Sequence, residues 1–336
     1  MHISKEVCII AIHNIHLESY QQIKVRVVRI QQNKTLQGRR RMNFREFINV
    51  VKKEIKNQLP SGVTLSICGA KKNNAVEKSG LMFAQGNEEL SQTIYLEEYY
   101  QRFQKEEDLT AIVDSLLKCY ENIRVPSIVR IEDFAEYSKI KDKIVYRLIN
   151  AKKNQELLEG VPHETFLDLA IVYYVLVAVG EGKSEVILIR EKQRKAWGVT
   201  IRNLQESAQA NTEKSADVEF RNMNEVMQEL MGEEEEDGIK EEPMYVLTNR
   251  MRIYGASTLL YDGIFERIAK EMKGAFYVLP SSIHEVIIVP EMEGVKLVEL
   301  KDMVVEINRT QVAPDEVLSN NVYYYNPAEK KELIIM

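Results

Sequence analysis

Serine, histidine and carboxylate side chains meet in one short run of this chain, Pro280-Ser281-Ser282-Ile283-His284-Glu285. Those types perform nucleophilic chemistry when an imidazole takes the hydroxyl proton and a carboxylate orients the ring. The candidates are Ser281 or Ser282 as nucleophile, His284 as base and Asp168 as the distant carboxylate. The demand is geometric: base and hydroxyl within hydrogen-bond reach, with donors aimed at the oxyanion. Neighbours in a single turn rarely meet it, and the chain has no G-x-S-x-G elbow. The plainer expectation is that the two serines cap a turn between strands.

Other chemistry has less to work with. A metal site from His163, Asp168 and His284 needs three separate elements to converge, without an H-x-x-x-H or C-x-x-C seed. No G-x-x-x-x-G-K-[ST] and no G-x-G-x-x-G after a strand is present. No metal and no cofactor is expected. Trp197, ending a helix before Gly198, reads as a packing residue. Tyr323-Tyr324-Tyr325 reads as an edge strand, by aromatic strand propensity rather than ligand stacking.

The elements that must position these residues emerge from periodicity. Asn43 with Glu46 resembles a capping box, and Phe44, Phe47, Ile48, Val51, Ile55 and Leu59 continue at helical spacing to Pro60-Ser61-Gly62. Val63, Leu65 and Ile67 alternate with polar neighbours, predicting a strand, and Leu81–Ala84 and Thr93–Leu96 read as two more. Asp108 precedes an amphipathic helix through Leu109, Ile112, Val113, Leu116 and Leu117. Residues 42–125 are thus expected as a helix-plus-strands unit.

The rest of the chain repeats itself. Tyr146-x-Leu148-x-Asn150 returns as Tyr245-x-Leu247-x-Asn249, and Phe166-x-x-Leu169-Ala170 as Phe265-x-x-Ile268-Ala269, both offset by 99. Tyr174-Val175-Leu176 returns as Tyr277-Val278-Leu279, and Glu185-Val186-Ile187 as Glu285-Val286-Ile287. Gly198-Val199-x-Ile201-x-x-Leu204 returns as Gly294-Val295-x-Leu297-x-x-Leu300. A tandem duplication is expected, with α+β repeats at 140–230 and 243–327 of the order strand, helix, strand, strand, helix. By analogy with the second copy, the first is helical to about Ala170 and extended from about Val172. The fold class expected is α+β: mainly antiparallel sheets with helices on one face. Residues 231–242, rich in Glu, read as an acidic linker.

Charge and composition bound the rest. The 336 residues carry 45 Lys/Arg and 51 Asp/Glu, a net charge of −6. Residues 1–41 hold eight Lys/Arg against two Asp/Glu, so the body carries −12. An acidic body repels polyphosphate, and nucleic acid is not the expected partner unless the basic segment 1–41 binds it. That segment ends in Gly38-Arg39-Arg40-Arg41 before Met42, as a translated ribosome-binding site would, so a misplaced start is the favoured reading. Three scattered cysteines, Cys8, Cys68 and Cys119, fit reduced thiols. The longest apolar run, Leu169–Val179, has eleven residues, short of the roughly 20 a membrane span needs. A cytoplasmic protein that does not enter the membrane is expected.

Several of these stretches together resemble a known family. Met42-Asn43-Phe44-Arg45-Glu46-Phe47, Asp142 through Asn150, Pro162-His163 through Tyr174, and Phe276 through Val286 are similar to the uncharacterised bacterial family called domain of unknown function 5688. The resemblance runs over about residues 42–327. It implies a bacterial protein whose family has no assigned activity, cofactor or partner. The expectation from the residues is a non-catalytic binding or interaction module for a protein or small molecule, seated between duplicated halves. The alternatives are a hydrolase using Ser281/Ser282 with His284, and nucleic-acid association through 1–41.

Overall fold

The fold comes from a computed structural model, which describes residues 42–85, 93–105, 108–122, 129, 131–180, 183–215, 217–231 and 244–336. The basic segment 1–41 and residues 232–242 of the acidic linker lie outside the described residues, while Met231 ends a helix. The chain divides into two compact units between residues 126 and 127.

In the N-terminal unit, α1 (Phe44–Gln58) starts at the expected capping box. The Glu46 N–H donates to Asn43 Oδ1 at 2.9 Å and the Asn43 N–H to Glu46 Oε2 at 3.0 Å. These bonds satisfy two amides that a helix start leaves open. β1 (Val63–Lys71) and β2 (Glu77–Gln85) pair antiparallel from Val63↔Gln85 to Lys71↔Glu77, and β3 (Thr93–Tyr95) joins β2. α2 (Glu97–Gln104) and α3 (Leu109–Asn122) come next. Phe47, Val51 and Ile55 of α1 meet Leu81 and Phe83 of β2 and Ile112 and Leu116 of α3 in one core. Cys68 and Cys119 carry free thiols.

The second unit contains two antiparallel sheets. After a helical turn, α4 (Tyr137–Ile140), come β4 (Ile144–Asn150), the short α5 (Gln155–Leu158), β5 (His163–Phe166), β6 (Leu169–Gly180) and β7 (Lys183–Leu188). β6 is central: it pairs β4 along one edge and β5, then β7, along the other. Here the expected helix up to Ala170 is corrected. Residues 163–166 are extended and pair with 169–172 across the turn Leu167-Asp168, with Leu167 at φ 57°. That turn costs a leucine backbone strain, and hydrogen bonds from distant residues to the Asp168 carboxylate secure it.

α6 (Glu191–Trp197) ends at Gly198, which is left-handed at φ 69°. Trp197 packs as expected, and its indole N–H donates to the Phe134 carbonyl at 2.8 Å. α7 (Ile201–Ser215), β8 (Val218–Asn222) and α8 (Met223–Met231) lead to β9 (Tyr245–Asn249). A 3-10 segment (Gly255–Leu260), α9 (Ile264–Met272), β10 (Phe276–Leu279), β11 (Val286–Pro290), α10 (Leu297–Thr310), β12 (Tyr323–Asn326) and β13 (Lys330–Ile335) complete the unit. The sheet order is β13-β12-β10-β11-β9-β8. β12 therefore lies inside the sheet, correcting the edge-strand reading of Tyr323–Tyr325. Gly263, at φ 70°, is the N-cap of α9.

One hydrophobic cluster joins both sheets. Tyr146, Leu148 and Tyr173 from the first share it with Leu247, Val278, Ile288 and Tyr323 from the second, and with α7 and α9. The opposite face of the six-stranded sheet is covered by α10 through Leu300, Met303, Val304 and Ile307. Helices thus line both faces of this sheet, so β10 and β11 are buried throughout, as their unbroken apolar sequence requires. The class is α+β with antiparallel sheets.

Candidate functional site

The run 280–285 forms the connection between β10 and β11, and a second segment, 316–319, lies against it. The Ile283 N–H donates to the Glu316 carbonyl at 2.9 Å, the Leu318 N–H to Ser281 O at 3.0 Å and the Ser319 N–H to Pro280 O at 2.9 Å. This short ladder buries Ser281, Ser282 and Glu285 to 2% exposure and His284 to 9%. The residues 316–323 act as a clasp, because their other side grips the first sheet. Asn150 Nδ2 donates to Leu318 O at 2.8 Å, and the carboxylate of Asp168 accepts from Ser319 Oγ at 2.6 Å, from Asn321 Nδ2 at 2.9 Å and from the Tyr323 hydroxyl.

Within the loop the polar groups have structural duties. Ser282 Oγ accepts from the His284 backbone N–H at 3.0 Å, the turn-capping role expected of it. The His284 carbonyl accepts from Thr248 Oγ1 at 2.8 Å. His284 Nδ1 accepts the Tyr254 N–H at 3.2 Å, and Nε2 faces Glu316 Oε1 at 3.6 Å. Accepting at Nδ1 makes Nε2 the protonated nitrogen of the neutral ring. The imidazole stacks on Tyr254 with centroids 5.2 Å apart, and the Arg147 guanidinium lies 3.3 Å from the same ring and 4.6 Å from that of Tyr174. Gly255 closes the corner: a Cβ there would stand 2.0 Å from Thr248 Oγ1 and 2.4 Å from the His284 carbonyl.

The structure therefore brings Ser281, Ser282 and His284 onto one side of the clasp and Asp168 onto the other, where it meets Ser319, Asn321 and Tyr323. His163 opens β5, and its Nδ1 donates to the Val161 carbonyl at 3.0 Å. Among the described residues no group of three His, Cys, Asp or Glu is arranged to hold a metal ion.

Sequence reasoning missed Arg147, Thr248, Tyr254 and the clasp residues Ser319 and Asn321. A usable signal existed for two others. Asn150 and Asn249 end the repeated Tyr-x-Leu-x-Asn motif, and both side chains close the turn after their strand. Asn150 Oδ1 accepts from the Lys153 N–H at 2.8 Å, and Asn249 Oδ1 from the Ile253 N–H at 3.3 Å.

The phenols around these sheets are held neutral. Burial, then Asp168, raises Tyr323 far above the ordinary tyrosine range. Burial, then the hydrogen bond to Glu164, raises Tyr173, and burial raises Tyr146 and Tyr261. Tyr324, half-buried and donating to Glu291 Oε2 at 2.8 Å, is pushed up to about 12 by burial and that bond. Phenolate chemistry is closed to all of them near neutrality. Away from the clasp, Glu213, Asp217, Tyr261, Asp262 and Arg267 line an open notch of about 350 Å³. No described helix is long and apolar enough to cross a membrane.

The arrangement defines a class: an α+β protein whose buried polar residues tie two antiparallel sheets together. Over residues 44–327 the chain matches a family of unknown function, DUF5688, and it belongs to that family. No curated protein and no solved structure matches it.

Proposed function

We propose that this chain is a non-catalytic binding or interaction module. One observation carries the reading: the Ser282 hydroxyl and the His284 imidazole, offered by the sequence as nucleophile and base, are employed in holding the corner. A general base needs a lone pair directed at the hydroxyl it deprotonates. In neutral His284 that lone pair receives the Tyr254 amide, and Ser282 Oγ receives the His284 amide. The space between the two sheets, where a ligand seated between halves would enter, is filled by their shared core, so binding residues belong to the outer faces.

A serine-directed fluorophosphonate applied to the full chain tests this against the hydrolase alternative. No labelling of Ser281 or Ser282 is expected, and stoichiometric labelling abolished by His284→Asn overturns the reading. In parallel, a thermal-shift screen of small molecules and of proteins encoded beside the gene should find a saturable stabiliser. Its effect should survive Ser282→Ala. The nucleic-acid alternative rests on residues 1–41, outside the described residues. A chain starting at Met42 and the full chain should bind oligonucleotides equally weakly across a salt series.

A further inference from the structure

We propose that His284 is a proton-operated latch, which in its neutral form locks the corner at 250–255 and in its charged form releases that corner and turns to the clasp. The lock is the Tyr254 amide. It donates to Nδ1 at 3.2 Å, so the nitrogen that must receive a solvent proton is already occupied by a donor. Once Nδ1 carries hydrogen, two donors face each other and the bond is lost. The corner is strained: Arg252 and Tyr254 both sit at φ 52°, a left-handed conformation that favours glycine. Losing the amide bond removes one of the contacts that enforce it.

The charges around the ring decide where it goes next. Arg147 lies 3.3 Å from the Tyr254 ring on which His284 stacks, so an imidazolium puts a second cation on one phenol. From the clasp, Glu316 Oε1 stands 3.6 Å from Nε2, beyond a direct hydrogen bond, with its side chain 28% exposed. Glu285, the next residue in the chain, is 2% exposed. Ser282 and Thr248, which bond the His284 backbone, are neutral. The Glu316 carboxylate stabilises the imidazolium after it forms, drawing the ring from Tyr254 toward the clasp. The closed corner therefore belongs to the neutral ring and is lost once acidification protonates it.

Hydrogen exchange of the full chain, read at about pH 8 and about pH 5 and corrected for intrinsic rates, tests the latch. Protection of amides 250–256 should fall about tenfold on acidification, while amides of 286–290 keep theirs. His284→Asn places an uncharged acceptor near the Nδ1 position and should keep the corner protected at both values. Glu316→Gln, which removes the counter-charge, should move the opening to lower pH. A corner whose protection ignores pH in the wild type overturns the latch. So does an identical loss in either variant.

Discussion

The motif Tyr-x-Leu-x-Asn opens two stretches of this chain, and the layers packed behind it differ. In β4 the residue after the tyrosine is Arg147, with its guanidinium over Tyr254 and Tyr174. In β9 the matching residue is Val246, buried under α8 and α10 in an apolar cluster, with Arg221 of β8 opposite it in the register. The inward sides agree, since Tyr146, Leu148 and Leu247 all face the shared core, which Tyr245 borders. Strand order then diverges: β4 lies beside β6, the first strand of its hairpin, whereas β9 lies beside β11, the second of its pair. The matched Phe-x-x-hydrophobic-Ala runs along strands β5 and β6 in one stretch and along helix α9 in the other. Short sequence likeness fixes residue types; packing against the rest of the fold decides which element they form and the architecture around it.

Exchanging the outward residues should have the largest effect. Val246→Arg should cost more than about 4 kcal/mol, because the new cation enters an apolar layer whose neighbouring carboxylate, Glu219, is already paired with Arg221 and Arg252. It would also share a cavity of about 10 Å³ with Arg221 and Arg252. Arg147→Val, which removes the stack on Tyr254, should cost about 1–2 kcal/mol. Urea unfolding midpoints check both, and equal costs would mean the two far faces are alike after all.

Two glycines probe the same contrast on a smaller scale. Gly255→Ala forces a Cβ to 2.4 Å from a backbone carbonyl and should cost about 3 kcal/mol. Gly198→Ala meets open space and only left-handed strain at φ 69°, about 1 kcal/mol. A likeness that does survive is tested by Leu204 in α7 and Leu300 in α10, both buried at the last position of the repeated Gly-Val-x-hydrophobic-x-x-Leu pattern. Each →Ala change should cost about 3 kcal/mol, and costs differing by more than about 2 would show that the positions are not equivalent.

The smallest effect is a pH dependence. Tyrosines whose folded range is raised stabilise the fold fully below the ordinary tyrosine value of 10, and that stability is lost as pH rises toward the folded value. For Tyr324 the window is 10 to about 12. Absorbance titration should show phenolate appearing late, together with unfolding, and Tyr324→Phe should flatten the part of the stability loss in that window.

The sequence was legible where one element's own pattern decides its state. The capping box at Asn43 and Glu46, the 3.6-residue stripe through Phe47, Val51 and Ile55, and the strand from Val63 read directly from local bonding and patterning, although Ile67 is exposed and the alternation shifts phase there. Class was legible for the same reason. At the candidate site, residue types were visible at Ser281, Ser282, His284 and Asp168, and the capping role of Ser282 was implied by turn chemistry. Their partners Tyr254, Thr248, Ser319 and Asn321 stand up to 153 residues away, and no spacing rule links them.

Composition and periodicity were enough to establish that this chain makes amphipathic helices and antiparallel strands, with Asn ending two strands and Gly ending a helix. It took the packing of the two sheets to make Leu167-Asp168 a turn rather than part of a helix, to place β12 inside its sheet, and to set His284 between Tyr254 and Glu316. Backbone hydrogen bonding within a segment is a property of that segment. The energy that stabilises a strained turn or orients an imidazole comes from groups distant in sequence, which meet only when two sheets bury a common core.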